Sequence, residues 1–254
     1  MRRILFGSIA SFLISSPTFA DENYSWAGFY IGGQAGWMQN DVKYSQNAPF
    51  ALNILNDYTG ERYAEYTPLP MNNEKKNSFS GGVYAGYNFM LSKHFLLGAE
   101  ADIALYNYKN NDNLYIDNIY PYNYSLKKFY LYEEKVKLSR SVSLRARIGY
   151  ASSRFLTFAT AGISSGTADY NIHIDGAQTS KEVYASNRKS MTGYTVGGGV
   201  EYALTDHILL RSEYRYTDYG RKGIKIDGDQ FITPAEFKIA HKAHDVRLGI
   251  AYKF

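Results

Sequence analysis

Charged residues recur at a spacing of two along this chain: Glu100 and Asp102, Arg145 and Arg147, Glu201, then Arg211, Glu213 and Arg215, and finally Arg247. Side chains two apart on a β-strand share a face, so each set projects from one side of its segment. Two carboxylates on one face, Glu100 and Asp102, have the makings of general acid–base chemistry. The arginines argue against it. A guanidinium facing a carboxylate keeps the acid ionised, whereas a catalytic acid needs surroundings that hold its proton. Five arginines against four carboxylates read instead as a salt-bridge network, because arginine's planar fork matches a carboxylate and buried charges must be paired. In a narrow interior such a network is a structural plug and not an open ion path.

Three further patterns carry less. Gly162–Gly166 (GISSG) has the spelling of a serine-hydrolase elbow, but that motif needs a strand-to-helix turn, and here it ends a strand before a polar stretch. Gly193–Gly199 precedes no helix N-terminus and so cradles no phosphate. In Lys225–Glu236, residues Asp227, Asp229, Phe231 and Glu236 fall at positions 3, 5, 7 and 12 of a calcium loop. Lys225 stands at its first position and Gln230 where glycine belongs, so the stretch reads as a solvated loop tip.

The elements that must position the charges follow from the alternation. Apolar and polar residues alternate over Gly28–Asn40, Ser78–Met90, Phe95–Tyr108, Leu138–Ala151, Lys189–Tyr202, Ile208–Asp218 and His244–Phe254, which predicts strands with one apolar face. A further strand is predicted over Phe155–Ser164, its facing unresolved. Long polar connections at Asp41–Asn77, Lys109–Lys137, Gly166–Arg188 and Tyr219–Ala243 alternate with tight turns at Leu91–His94, Ser152–Arg154 and Ala203–His207. Eight strands with strictly alternating long and short connections predict an all-β, eight-stranded antiparallel transmembrane barrel, with four long external loops and three short periplasmic turns. A soluble up-and-down barrel has the same alternation but buries its apolar face. The glycine-rich opposite face and the final Phe254 favour the membrane version.

Met1–Ala20 has Arg2 and Arg3, an apolar run from Ile4 to Leu13, and small residues up to Ala20. That is the pattern of a cleaved export signal, with residues 21–254 as the barrel domain. The formal charge of the whole chain is +4; two of those charges lie in the leader, so no nucleic-acid partner is implied. There is no cysteine, hence no disulfide and no thiolate chemistry. The 25 tyrosines and 14 phenylalanines suit aromatic girdles at two membrane interfaces.

Trp26–Gly36 (WAGFYIGGQAG), Ser80–Phe89 (SGGVYAGYNF) and the closing HDVRLGIAYKF resemble an alphaproteobacterial outer-membrane barrel family that includes Brucella surface antigens and Bartonella hemin-binding proteins. The resemblance implies a non-enzymatic surface protein whose final Phe254 is read by the barrel assembly machinery, with membrane lipid around it. It further implies hemin capture, with heme as a bound ligand and no cofactor required. His94 and His207 fall in the short turns. Loop candidates for heme are His173, His241 and His244, with Tyr115, Tyr120, Tyr122 and Tyr124 as stacking rings. His241 and His244, three apart on a strand, point to opposite faces and make a poor pair. A small diffusion channel, a host-contact adhesin and a barrel acyltransferase are the alternatives; the last needs a clustered Ser/His/Asp at one rim, and none is evident.

Overall fold

The computed structural model describes residues 24–46, 50–55, 62–67, 74–107, 112–117, 129–176, 182–226 and 235–254. The leader predicted for residues 1–20 lies outside them. The strands are β1 (Gly28–Gln46), β2 (Phe50–Leu55), β3 (Arg62–Thr67), β4 (Glu74–Met90), β5 (Phe95–Asn107), β6 (Asp112–Asp117), β7 (Phe129–Ser152), β8 (Phe155–Gly176), β9 (Glu182–Ala203), β10 (Ile208–Ile226) and β11 (Ala235–Lys253). Eight of them, β1, β4, β5 and β7 to β11, pair antiparallel in a ring. β1 closes the ring against β11, from Tyr30 opposite Lys253 to Gln46 opposite Phe237. β6 adds to the outer end of β7, and β2 with β3 forms a separate hairpin.

The strands outrun the stretches that alternate in sequence. β8 and β9 stay in register from Phe155 opposite Tyr202 to Asp175 opposite Glu182, so most of 166–188 is ladder. The other long connections are shortened in the same way by β1, β4, β7, β10 and β11. The physical reason is the solvent. Beyond the bilayer both strand faces can be wet, so the period-2 apolar signal stops while the backbone keeps pairing.

Orientation is settled by burial. Leu248 is 67% exposed, and Phe79, Leu105, Leu144, Ile163 and Ile250 also point outward, whereas Arg145 and Arg147 are each 1% exposed. A soluble barrel is the reverse. On β8, Phe155, Thr157, Ala159, Ala161 and Ile163 face out, and Leu156, Phe158, Thr160 and Ser164 face in. Aromatic rings gather at both ends of the apolar band. At the short-turn end Phe29 meets Phe254 at 5.6 Å between centroids, Phe95 meets Tyr150 at 5.4 Å and Phe155 meets Tyr202 at 4.9 Å. At the other end stand Trp37, Phe79, Tyr194 and Tyr214.

One device is repeated around the short-turn end. In Leu91–Phe95 and Leu204–Ile208 the hydroxyl of Ser92 or Thr205 accepts two backbone N–H groups of its own turn. The histidine that follows clips onto the next strand: His94 Nδ1 lies 3.1 Å from the carbonyl of Ala151, and His207 Nδ1 lies 2.9 Å from that of Lys253. In return Ala151 and Lys253 donate their N–H groups to the carbonyls of His94 and His207, each at 2.7 Å. Arg154 repeats the exchange with Ala203.

Candidate functional site

The lumen side chains form three layers. At the short-turn end the chain before β1 folds into the mouth. Trp26, 1% exposed, donates its indole N–H to the carbonyl of Ser153 at 3.0 Å and packs with Tyr30, Tyr84, Leu96, Leu156 and Leu209. Asn88 donates to the carbonyl of Trp26, and the ring of Tyr24 stacks edge-on to the indole. Burial pushes the Tyr24 hydroxyl well above the ordinary phenol range, so it stays protonated. The tyrosines fit because glycine stands opposite them. Tyr30 faces Gly86 and Tyr84 faces Gly32 across the β1–β4 ladder. A Cβ on Gly86 would come within 2.3 Å of the Tyr30 hydroxyl oxygen, and one on Gly32 within 2.7 Å of the Tyr84 ring. Side-chain deletion at these two positions makes room for rings that fill the bore.

The middle layer brings together all nine charged residues named from the sequence, each buried. Glu100 on β5 sits among three guanidinium groups. Arg211 reaches it with two nitrogens, at 2.5 and 3.2 Å, Arg145 bonds to Oε1, and Arg147 lies 3.8 Å away. Tyr30 also donates to it, at 2.8 Å. Arg145 continues to Glu213, and Arg147 to Glu201. Arg215 bridges Asp102 at 2.9 Å and Glu213 at 3.2 Å. Arg247 bonds to Asp245 at 2.6 Å and to the Tyr106 hydroxyl at 3.2 Å.

Asp245 is a carboxylate the sequence reading missed. It shares the inward face with Arg247, two residues on, and that spacing was the available signal. With it the network holds five arginines and five carboxylates, Glu100, Asp102, Glu201, Glu213 and Asp245, and balances. The ring of Phe158 was missed as well; Arg147 and Arg211 lie over it at 4.3 and 4.6 Å from the centroid, a cation–π sandwich in a desolvated site.

The third layer, at the far end, is Met38, Val42, Ala104, Tyr106, Met191 and Tyr219. His241 belongs here and not to an outer loop. It is 4% exposed, its Nε2 is 2.8 Å from Asn40 Oδ1, and its ring meets Tyr219 edge-on at 5.6 Å. That corrects its place among surface heme contacts. His244 points the other way, onto the outer aromatic belt. Its Nδ1 is 2.7 Å from the Tyr214 hydroxyl, and its ring is 5.1 Å from that of Tyr216. His173 is on β8 opposite Tyr184, and Tyr115 is on β6 opposite Leu131. Tyr120, Tyr122 and Tyr124 lie outside the described residues, as do Asp227, Asp229 and Phe231 of the calcium-like stretch.

Ser164 of the GISSG stretch is mid-strand on β8 and buried. It bonds to the hydroxyls of Ser143 at 3.1 Å and Tyr219 at 3.3 Å. Among the described residues no group of His, Asp and Glu side chains is arranged to hold a metal ion.

Apolar residues outside, a charged interior and aromatic rings at both margins define a transmembrane β-barrel. The chain belongs to the outer membrane protein beta-barrel domain family, whose profile matches residues 6–254. It is 26% identical over its full length to the whole of the 31 kDa outer-membrane immunogenic protein of Brucella melitensis. It is 28% identical to the 22 kDa outer membrane protein of Rhizobium leguminosarum, covering 91% of this chain and 79% of that one. Among solved structures, outer membrane protein OprG of Pseudomonas aeruginosa aligns with a TM-score of 0.47 at 15% identity, over 92% of this chain and 98% of that one. The protein is an outer-membrane β-barrel.

Proposed function

We propose that the protein is a non-enzymatic, non-conducting scaffold of the outer membrane that holds its long connections at the cell surface. The observation that carries this reading is the lumen: a neutral cluster of ten buried charged side chains between two apolar layers. An ion entering it must displace arginines that already have carboxylate partners. In this reading residues 1–20 are the export signal. Phe254, packed on Phe29 and Tyr252, is the mark for the assembly machinery, and the external segments meet host surface molecules. Planar bilayers carrying the purified monomer are expected to stay silent; stable, reproducible current steps overturn the reading.

Hemin capture is the finer reading, and the geometry around His244 supports it. The Tyr214 hydroxyl engages Nδ1 and leaves Nε2 as the ligating atom, the arrangement in which a second partner orients a metal-binding imidazole. Tyr216 supplies a ring beside it. Hemin titrated into the purified protein is expected to give a saturable Soret shift that His244→Ala removes and His241→Ala leaves in place. Unsaturable scattering, or a shift indifferent to His244, ends this reading.

A further inference from the structure

A patch of cations with no ion pair among the described residues stands on the outer wall of β1, β10 and β11, just beyond the aromatic belt. Its centre is Ala240 on β11. Lys43 of β1 and Arg221 of β10 are directly opposite Ala240 on either side. Lys238 follows on the same face of β11. Lys43 and Arg221 are exposed, and Lys238 and Ala240 are half-buried. Neighbouring strands are about 4.8 Å apart and same-face neighbours about 7 Å, so three cationic side chains surround one methyl group at roughly those distances. Ala240 is too small to fill the notch between them.

Of the acids nearby, Asp218 is already engaged. One pleat closer to the membrane the register sets Lys75, Asp41, Lys242 and Asp218 side by side across β4, β1, β11 and β10. Those charges alternate in sign and compensate one another. Asp218 is 3.4 Å from Lys242 Nζ, accepts from Tyr216 at 3.1 Å, and takes the N–H of Gly220 at 2.8 Å. Lys43, Arg221 and Lys238 have no ion pair among the described residues.

Height fixes the environment. Trp37, Val246 and Tyr214 lie in one row, and the Gln39, His244 and Tyr216 row is the last of the belt. Ala240 is two pleats above His244, roughly 10 Å along the axis for a tilted strand. That is the depth of lipid headgroups, where basic residues next to an aromatic margin meet anionic lipid.

We propose that Lys43, Arg221 and Lys238 form a seat for the phosphorylated headgroup of an outer-leaflet lipid, with a phosphate over Ala240. The belt rings Trp37, Tyr214 and Tyr216 below it run alongside the acyl chains of the same molecule. The continuity of belt and cations selects a lipid over a free ion, since a free phosphate uses only the upper half of the surface.

The test uses the full protein refolded in neutral detergent and a headgroup-labelled diphosphoryl lipid A as the probe, read by fluorescence anisotropy. The triple variant Lys43→Gln, Arg221→Gln, Lys238→Gln is expected to bind about ten- to a hundredfold more weakly. Lys93→Gln in the opposite-end turn is expected to bind as the parent does. A heat-modifiable gel shift shared by all variants shows that each is folded. Dephosphorylated lipid A competing as well as the diphosphoryl form overturns the proposal, as does equal binding by the triple variant. Displacement by inorganic phosphate at equal phosphorus concentration overturns the lipid assignment and leaves an ion site.

Discussion

Replacing Glu100 by alanine is expected to be the most damaging single change in the interior. Glu100 is bonded by Arg145 and by both terminal nitrogens of Arg211, accepts from Tyr30, and lies near Arg147. Its loss leaves an excess guanidinium charge in a sealed layer and strips the Tyr30 hydroxyl of its acceptor. Removing one partner of a buried ion pair costs about 3–5 kcal/mol, because the remaining charge is stranded. Glu100→Gln keeps an acceptor but not the charge and should fall between. The contrast is Asp206→Ala. Asp206 meets Arg154 at 3.0 Å with its own side chain 75% exposed, and a surface pair of that kind contributes at most about 1 kcal/mol. Urea unfolding of detergent-refolded protein, followed by tryptophan fluorescence, ranks the three. Equal midpoints for Glu100→Ala and Asp206→Ala would show that the buried cluster is not integral to the fold.

The second large effect is on the other face of the wall. Ile250 lies between Phe254 and Val246 on β11, near the middle of the apolar band, and is 54% exposed. On a water-facing strand an arginine there would change stability by about 0.5 kcal/mol or less. Facing lipid at mid-depth, it costs about 2–4 kcal/mol. Ile250→Arg should therefore fold poorly into vesicles while Ile250→Leu folds like the parent, with the folded fraction read on unheated gels. An arginine tolerated at this position contradicts the outward placement of the apolar face.

The sequence made the wall easier to read than the filling. The inward faces of β5, β7 and β10 were legible because Glu100 and Asp102, Arg145 and Arg147, and the Arg211–Glu213–Arg215 run mark one side with charge. β8 was not, because Phe155, Leu156 and Phe158 place apolar residues on both sides. The structure explains why: Leu156 belongs to the apolar layer of the mouth, and Phe158 is the ring between Arg147 and Arg211. Tyr30, Tyr84 and Tyr106 could be taken equally well for girdle rings, and only the ladder shows Gly86 and Gly32 opposite the first two. His241 and His244 were correctly separated by parity; His241 shares the inward face of Arg247, which was not legible because the alternating stretch was read only from His244 onward while β11 begins at Ala235. The outer strand ends were invisible for want of a lipid boundary to impose alternation.

The closed bore is the central claim, and single-channel recording on purified, heat-modifiable monomer in planar bilayers tests it most directly. The wild-type protein is expected to leave the bilayer at its baseline current over the accessible voltage range, with no reproducible unitary steps. A uniform set of openings from the intact monomer would contradict the sealed arrangement of Trp26, the arginine–carboxylate layer and the Met38–Tyr219 layer.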